Sequence, residues 1–281
     1  MVSKADAMDT ENIRRGLTKN ESRLLSSLSE KGKSIFRLKD VSDELGCTYK
    51  YAKVLTNNLA KKRWIIALSR GKYLIVPLSA GVRPRYTEHE FVIGAHLISP
   101  YYIGYWSALN FHAFTEQTPF AVFVATTRRM RDRKVLNVDY RFVTLKERKF
   151  FGFTPIAIGS SKVNISDPEK TIADALDHPE CCGGMAEVAK CVWNAKEKVS
   201  LEKVLTYAEK MRNTAIIKRL GYLVEHLKIN VDAGTMMTMR SAIAPGVSML
   251  DPKPRMGSHM TKWNLLVNVP KETLEAWRRI L

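Results

Sequence analysis

The sequence predicts an α+β protein: an N-terminal winged helix-turn-helix followed by a larger mixed α/β domain. Three stretches of the 281-residue chain lead there. Between Ser34 and Pro77 stand two short amphipathic helices, a glycine between them, and a two-stranded hairpin with a basic tip. After Pro119 the pattern changes to apolar strand-like runs, beginning with Phe120-Ala-Val-Phe-Val-Ala125. From Asp167 onward helical spacing dominates. A chain of this length can bury two separate cores.

Met1 to Lys19 is polar and mixed in charge, which predicts a flexible N-terminal arm, at most a frayed helix near Thr10–Leu17, with Arg14 and Arg15 in solvent. Asn20 reads as the cap of a helix over Glu21–Lys31, whose Leu24, Leu25 and Leu28 form an apolar stripe. Ser34–Arg37 is short enough to be a small strand paired with the hairpin. In Lys39–Leu45, Val41 and Leu45 share one helix face. Gly46 supplies a left-handed residue, and Thr48 caps the next helix, Tyr49 to near Arg63. That helix turns Ala52, Leu55 and Leu59 inward. Trp64–Leu68 and Tyr73–Val76 are strands around Ser69-Arg-Gly-Lys72. The winged domain therefore occupies residues 20–80, with Pro77–Pro84 as linker and 85–281 as the second domain.

The outer face of the second helix of this pair carries Tyr49, Lys50, Lys53, Asn57 and Lys61. A helix in the major groove needs side chains that hydrogen-bond base edges, and Lys50, Lys53 and Asn57 can do so. Thr48, Tyr49 and the first backbone amides suit phosphate oxygens at the helix N-terminus. Arg70 and Lys72 on the hairpin suit backbone phosphates or the minor groove. A winged helix serving only protein contacts would show the same cations as a solvated face. The full succession of helix, turn, helix and basic hairpin favours double-stranded DNA, as does a formal net charge of +17.

In the second domain, Thr87-Glu-His-Glu90 reads as a capping box before an apolar helix ending near Pro100. The aromatic cluster Tyr101, Tyr102, Tyr105, Trp106 and Phe111 reads as core or interface on a helix over Gly104–Phe111. Val135–Leu145, Phe150–Ile158 and Ser161–Ile165 read as strands. The cationic stretch Thr127–Lys134 is either a solvated hairpin tip or a second contact with nucleic acid or an acidic partner. Asp167-Pro-Glu-Lys170 opens a helix, with Asp as cap and Pro in the first turn. Three helices follow to Leu227, then an extended strap over Asn230–Pro254, a strand at Trp263–Val269 and a last helix from Lys271.

Enzyme signatures are weak. Asp167 and Glu169 are split by Pro168 at a helix start, unlike the paired strand carboxylates of metal-dependent nucleotidyl transfer or nuclease chemistry. His178, Cys181, Cys182 and Cys191 lack the paired spacing of a zinc site, and the cysteines read as buried or redox-idle thiols. No catalytic, cofactor or metal residue is assigned. No signal segment or spanning apolar run appears, so a cytoplasmic protein without a membrane partner is expected.

Several segments, in their order along the chain, resemble the AbiEi family. They are the basic winged helix, Pro100-Tyr-Tyr-Ile-Gly-Tyr-Trp-Ser-Ala-Leu109, Glu116-Gln-Thr-Pro119 and Ser166-Asp-Pro-Glu-Lys-Thr-Ile-Ala-Asp174. Leu220-Gly-Tyr-Leu223, Leu250-Asp-Pro-Lys253 and Lys262-Trp-Asn-Leu-Leu266 complete the likeness, which spans Glu21 to Pro270. AbiEi proteins are the antitoxins of type IV toxin–antitoxin, or abortive-infection, systems. The resemblance implies a winged helix that represses the protein's own operon and a C-terminal domain that counteracts a nucleotidyltransferase-type toxin without a stable complex. It implies double-stranded operator DNA as ligand; binding by a monomer and by a DNA-assembled dimer both fit the sequence. A stand-alone regulator on the same two domains is the alternative, and a metal-dependent nuclease or transferase a further one.

Overall fold

The computed structural model describes residues 13–84, 86–253 and 256–279. Residues 1–12, which hold most of the expected N-terminal arm, lie outside the described residues. The chain is an α+β protein of two compact units. One is built from the chain up to Leu97 with Val135–Asn137 and Ala157–Lys162, the other from the remainder.

The first unit runs α1 (Lys19–Glu30), β1 (Ile35–Arg37), α2 (Leu38–Leu45), α3 (Tyr49–Lys61), β2 (Ile65–Ser69) and β3 (Lys72–Ile75). The strands form an antiparallel sheet of order β1-β3-β2, with Phe36 opposite Tyr73 and Ile66 opposite Leu74. Leu24 and Leu28 of α1, Val41 of α2, and Ala52 and Leu59 of α3 meet in a core where all five are fully buried. Gly46, at φ +60°, ends α2, a left-handed conformation that a side chain would strain.

Three local expectations are corrected here. The cap of α1 is Thr18, not Asn20, because Thr18 and Glu21 form a reciprocal capping box. Arg14 does not hang in solvent, whereas the Arg15 side chain is exposed as expected. The Arg14 guanidinium lies 4.1 Å from the Trp64 ring centre and donates to the Val76 and Pro77 carbonyls at 3.1 and 3.0 Å. The Trp64 indole donates to the Arg15 carbonyl at 2.7 Å. A long-range aromatic contact thus orders the segment that composition alone marks as loose. Before α4 (Glu90–Leu97), Thr87 donates to the Glu88 carbonyl, while the His89 ring accepts from the Phe91 amide at 3.1 Å. The helix begins two residues later than the expected capping box would place it.

Along the chain then come β4 (Tyr102–Ile103), α5 (Tyr105–Phe111), β5 (Val122–Thr126), β6 (Arg133–Val135), β7 (Val138–Thr144), β8 (Phe153–Ile158) and β9 (Ser161–Ser166). Their six-stranded sheet has the order β6-β7-β5-β4-β9-β8. β4 and β5 are antiparallel, whereas β5/β7 and β4/β9 are parallel. The expected single strand over Val135–Leu145 is divided, because Leu136 and Asn137 both take positive φ, +49° and +67°, in the two-residue turn between β6 and β7.

Then come α6 (Pro168–Asp177), α7 (Met185–Ala195), α8 (Leu201–Met211), α9 (Thr214–His226) and α10 (Ala233–Ser241). Every residue of α6 from Glu169 to Asp177 is buried, and α5, α7, α8 and α9 pack around it. Helix α10 corrects the expected extended strap over Asn230–Pro254. Asp232 accepts from the Thr235 amide at 2.9 Å, and the fully buried Met239 ties the helix to the core. A small sheet of β10 (Ser248–Met249), β11 (Ser258–Met260) and β12 (Leu265–Val267), then α11 (Lys271–Leu274), complete the second unit. Trp263 is fully buried against Gly221, where a Cβ would sit 2.2 Å from the indole ring. No helix among the described residues is long and apolar enough to cross a membrane.

Candidate nucleic-acid interface

The amphipathic spacing of α3 divides it into two faces. Ala52, Leu55, Thr56 and Leu59 are buried, and the Thr56 hydroxyl donates to the Ala52 carbonyl at 3.0 Å, so it leaves no unpaired polar group inside. The opposite side presents Tyr49, Lys53, Asn57 and Lys61 at successive four-residue steps, with Lys50 and Val54 beside them. All six are exposed, Tyr49 to 63%. Helix α3 contains no Asp or Glu, so nothing on the helix offsets its cations.

Thr48 accepts from the Tyr51 amide at 3.4 Å and caps the helix, as its sequence position predicts. The cap fixes where the N-terminal amides point, and those amides with the positive end of the helix dipole favour an anion. The Tyr51 hydroxyl in turn accepts from the Asn20 side chain at 3.1 Å. Lys62, one residue beyond α3, turns away to an ion pair of 2.6 Å with the buried Glu21. Burial pushes the Glu21 carboxyl up, but hydrogen bonds from Lys62 and from the Thr18 amide outweigh it and hold the carboxyl below its ordinary value.

The hairpin turns at Gly71, φ +73°. Arg70 is exposed beside it. Lys72 behaves differently. It is half-buried, and its ammonium donates to the His96 carbonyl in the last turn of α4. Burial of the His96 ring, reinforced by Lys72 and Arg37 nearby, holds that imidazole below its ordinary value. The structure therefore groups Thr48, Tyr49, Lys50, Lys53 and Asn57 on one helix, leaves Arg70 free at the hairpin tip, and commits Lys72 to the fold.

One member of the α3 face is absent from the face derived from sequence. Val54 is 51% exposed among the cations, although its apolar character suggests core. Its four-residue step from Lys50 and three-residue step to Asn57 is the signal that would have found it. Lys61 extends the same stripe and is also exposed.

The second unit disperses the residues weighed for catalysis. Asp167 caps α6, accepting from the Lys170 amide at 2.7 Å and from the Tyr207 hydroxyl at 2.8 Å. Glu169 accepts from Lys203 at 2.7 Å. The Lys170 ammonium points into the core, where it meets the Tyr102 hydroxyl at 3.0 Å and the Asp174 carboxylate, while Tyr102 donates to the other Asp174 oxygen at 2.8 Å. All three side chains are fully buried. Burial pushes the Asp174 carboxyl above its ordinary range even beside Lys170. The Cys182 and Cys191 thiols are buried, and burial drives Cys181 up to about 12, so thiolate character is suppressed. Among the described residues, no three His, Cys, Asp or Glu side chains gather as a metal site.

No family model matches the chain. No curated protein matches it. Among solved structures it is similar to the Rv2827c protein from Mycobacterium tuberculosis, with a TM-score of 0.65. The match covers 96% of this chain and 97% of that one at 13% sequence identity, a likeness of fold.

Proposed function

We propose that the first unit is a winged helix-turn-helix and that the protein is a DNA-binding transcriptional repressor of its own operon. The observation that supports this reading most strongly is the exposed, acid-free face of α3. The major groove, about 12 Å wide, admits an α-helix, and a face of this composition suits what the groove displays. Lys50, Lys53 and Asn57 hydrogen-bond base edges. Val54 contacts a thymine methyl. Thr48, Tyr49 and Arg70 hold phosphates, while Lys72 sets the hairpin's position from within the protein. The antitoxin role, counteracting a nucleotidyltransferase-type toxin without a stable complex, is proposed on the AbiEi resemblance alone. We assign no enzymatic step.

Binding of the full chain to its own upstream DNA, against a scrambled duplex across a salt series, tests the repressor reading. Sequence-selective binding that weakens with salt supports it; binding with no preference between the two duplexes refutes it. Co-expression with a neighbouring nucleotidyltransferase gene tests the antitoxin reading. Rescue of growth supports it, and absence of rescue leaves a plain regulator.

A further inference from the structure

We infer that the second unit carries a binding surface for single-stranded nucleic acid, with a base stacked on Phe120 and phosphates held by the arginines of residues 127–134. Phe120 stands two residues before β5 and is 63% exposed. Its ring is braced on two sides by near-perpendicular aromatics, Trp106 at 5.9 Å and Phe123 at 6.0 Å between ring centres. The Arg141 guanidinium lies 5.7 Å from the Phe120 ring centre. Beside it opens a shallow cavity of about 280 Å³, walled by Phe120, Phe123, Arg141, Val143 and Cys181. A braced aromatic face with a guanidinium alongside is what an unstacked base requires.

Asp132 also lines this cavity, which brings the cationic stretch of residues 127–134 to its edge. Arg128, Arg129, Arg131, Arg133 and Lys134 are all exposed, and Asp132 is the one carboxylate among them. Asp132 is already matched, since it accepts from Arg141 and from the Phe142 amide, both at 2.9 Å. Glu180, at the cavity's rim, is engaged by His178 at 2.9 Å. The stretch is also anchored rather than loose. Thr126 accepts from the Arg128 amide at 3.2 Å and donates to the Pro100 carbonyl at 2.7 Å. A positively charged track beside a stacking ring reads a strand whose bases are free. A duplex keeps its bases stacked and would offer this surface only phosphates. The surface shares no residue with the α3 face, so the two activities are separable by mutation.

The test uses the full chain carrying Lys50→Ala and Lys53→Ala, which silences the α3 face, and labelled 12-nucleotide RNA, DNA of the same sequence, and their duplexes. Fluorescence anisotropy should show single strands bound more tightly than duplexes, with the stronger of the RNA and DNA arms naming the source. Adding Phe120→Ala should weaken single-strand binding about 5- to 150-fold and abolish the quenching of a 2-aminopurine placed in the strand. Adding Arg129→Ala with Arg131→Ala should reduce the salt slope by about 1.4. Circular dichroism confirms that each variant is folded. The proposal is overturned if single strands do not bind, if duplexes bind as tightly, or if Phe120→Ala leaves affinity and quenching unchanged. Operator binding by a chain altered only at Phe120 should match wild type, so failure of this surface is distinguishable from failure of the repressor reading.

Discussion

Arg70 and Lys72 flank the same glycine, yet they should respond oppositely to removal. Arg70 is exposed at the hairpin tip, whereas the Lys72 ammonium donates to the His96 carbonyl. If Arg70 grips a phosphate, Arg70→Ala removes one released counterion and flattens the log–log salt dependence by about 0.9. Between 50 and 200 mM salt, that one contact accounts for about 3.5-fold in affinity, on cognate and random duplex alike. Thermal stability should not change, because surface substitutions away from special features fall within about 0.5 kcal/mol. Lys72→Ala removes a charge-assisted hydrogen bond that ties β3 to the end of α4. Such bonds contribute about 1.5–3 kcal/mol, and half-exposure argues for the lower end, about 1.5 kcal/mol of destabilisation. The salt slope should stay within about 0.3 of wild type for a residue that meets no phosphate. Anisotropy titrations in a salt series, with thermal unfolding of the same preparations, read both quantities. Equal slope losses in the two variants, with Lys72→Ala as stable as wild type, would refute the assignment of Lys72 to the fold.

Asn57→Ala should lower discrimination between cognate and base-substituted operators by about 1–3 kcal/mol, measured by competition, while non-specific binding holds. Lys170→Met should destabilise the protein by about 3–5 kcal/mol, because it strands Asp174 in the core without its cation. The double change Lys170→Met with Asp174→Leu should recover most of that loss in thermal unfolding. Gly221→Ala would drive a Cβ to 2.2 Å from the Trp263 ring, so it should cost at least about 1–3 kcal/mol and alter tryptophan emission. The Glu21 carboxyl is depressed in the folded state, so the unfolded chain binds the extra proton and stability rises with pH. Its contribution is complete above the ordinary carboxylate value of about 4.3 and is lost as pH falls through the lower folded value. Glu21→Gln should flatten that acid limb in denaturant unfolding followed from pH 7 downward.

Much of the local architecture is written in short-range spacing. Gly46, Thr48 and the Ala52/Leu55/Leu59 stripe place a bend and a helix because each acts within one or two turns of its own position. The same holds for Asp167 and Pro168 at the start of α6. Short-range reading goes astray where two signals compete locally. Asn20 and Thr18 are both good caps, and only the reciprocal bond to Glu21 selects Thr18. Val54 looks like core until its angular position among Lys50 and Asn57 is worked out. The Met-rich composition near α10 conceals a helix that Asp232 starts and Met239 anchors.

The sequence by itself determined the α+β composition, the order of the elements in the first unit and the cationic outer face of α3, since periodicity, capping and charge are properties of neighbours along the chain. Tertiary structure decided the rest. It placed Arg14 on Trp64 instead of in solvent, tied Lys72 to His96, and enclosed Lys170 with Tyr102 and Asp174. Apart from the local Lys170–Asp174 pair, these pairings join residues from 24 to 72 positions apart. Tertiary structure also left Phe120 exposed, with the Arg141 guanidinium 5.7 Å from its ring centre. A side chain's charge and length give its reach, but which distant group comes within that reach is set only when the core has closed around it.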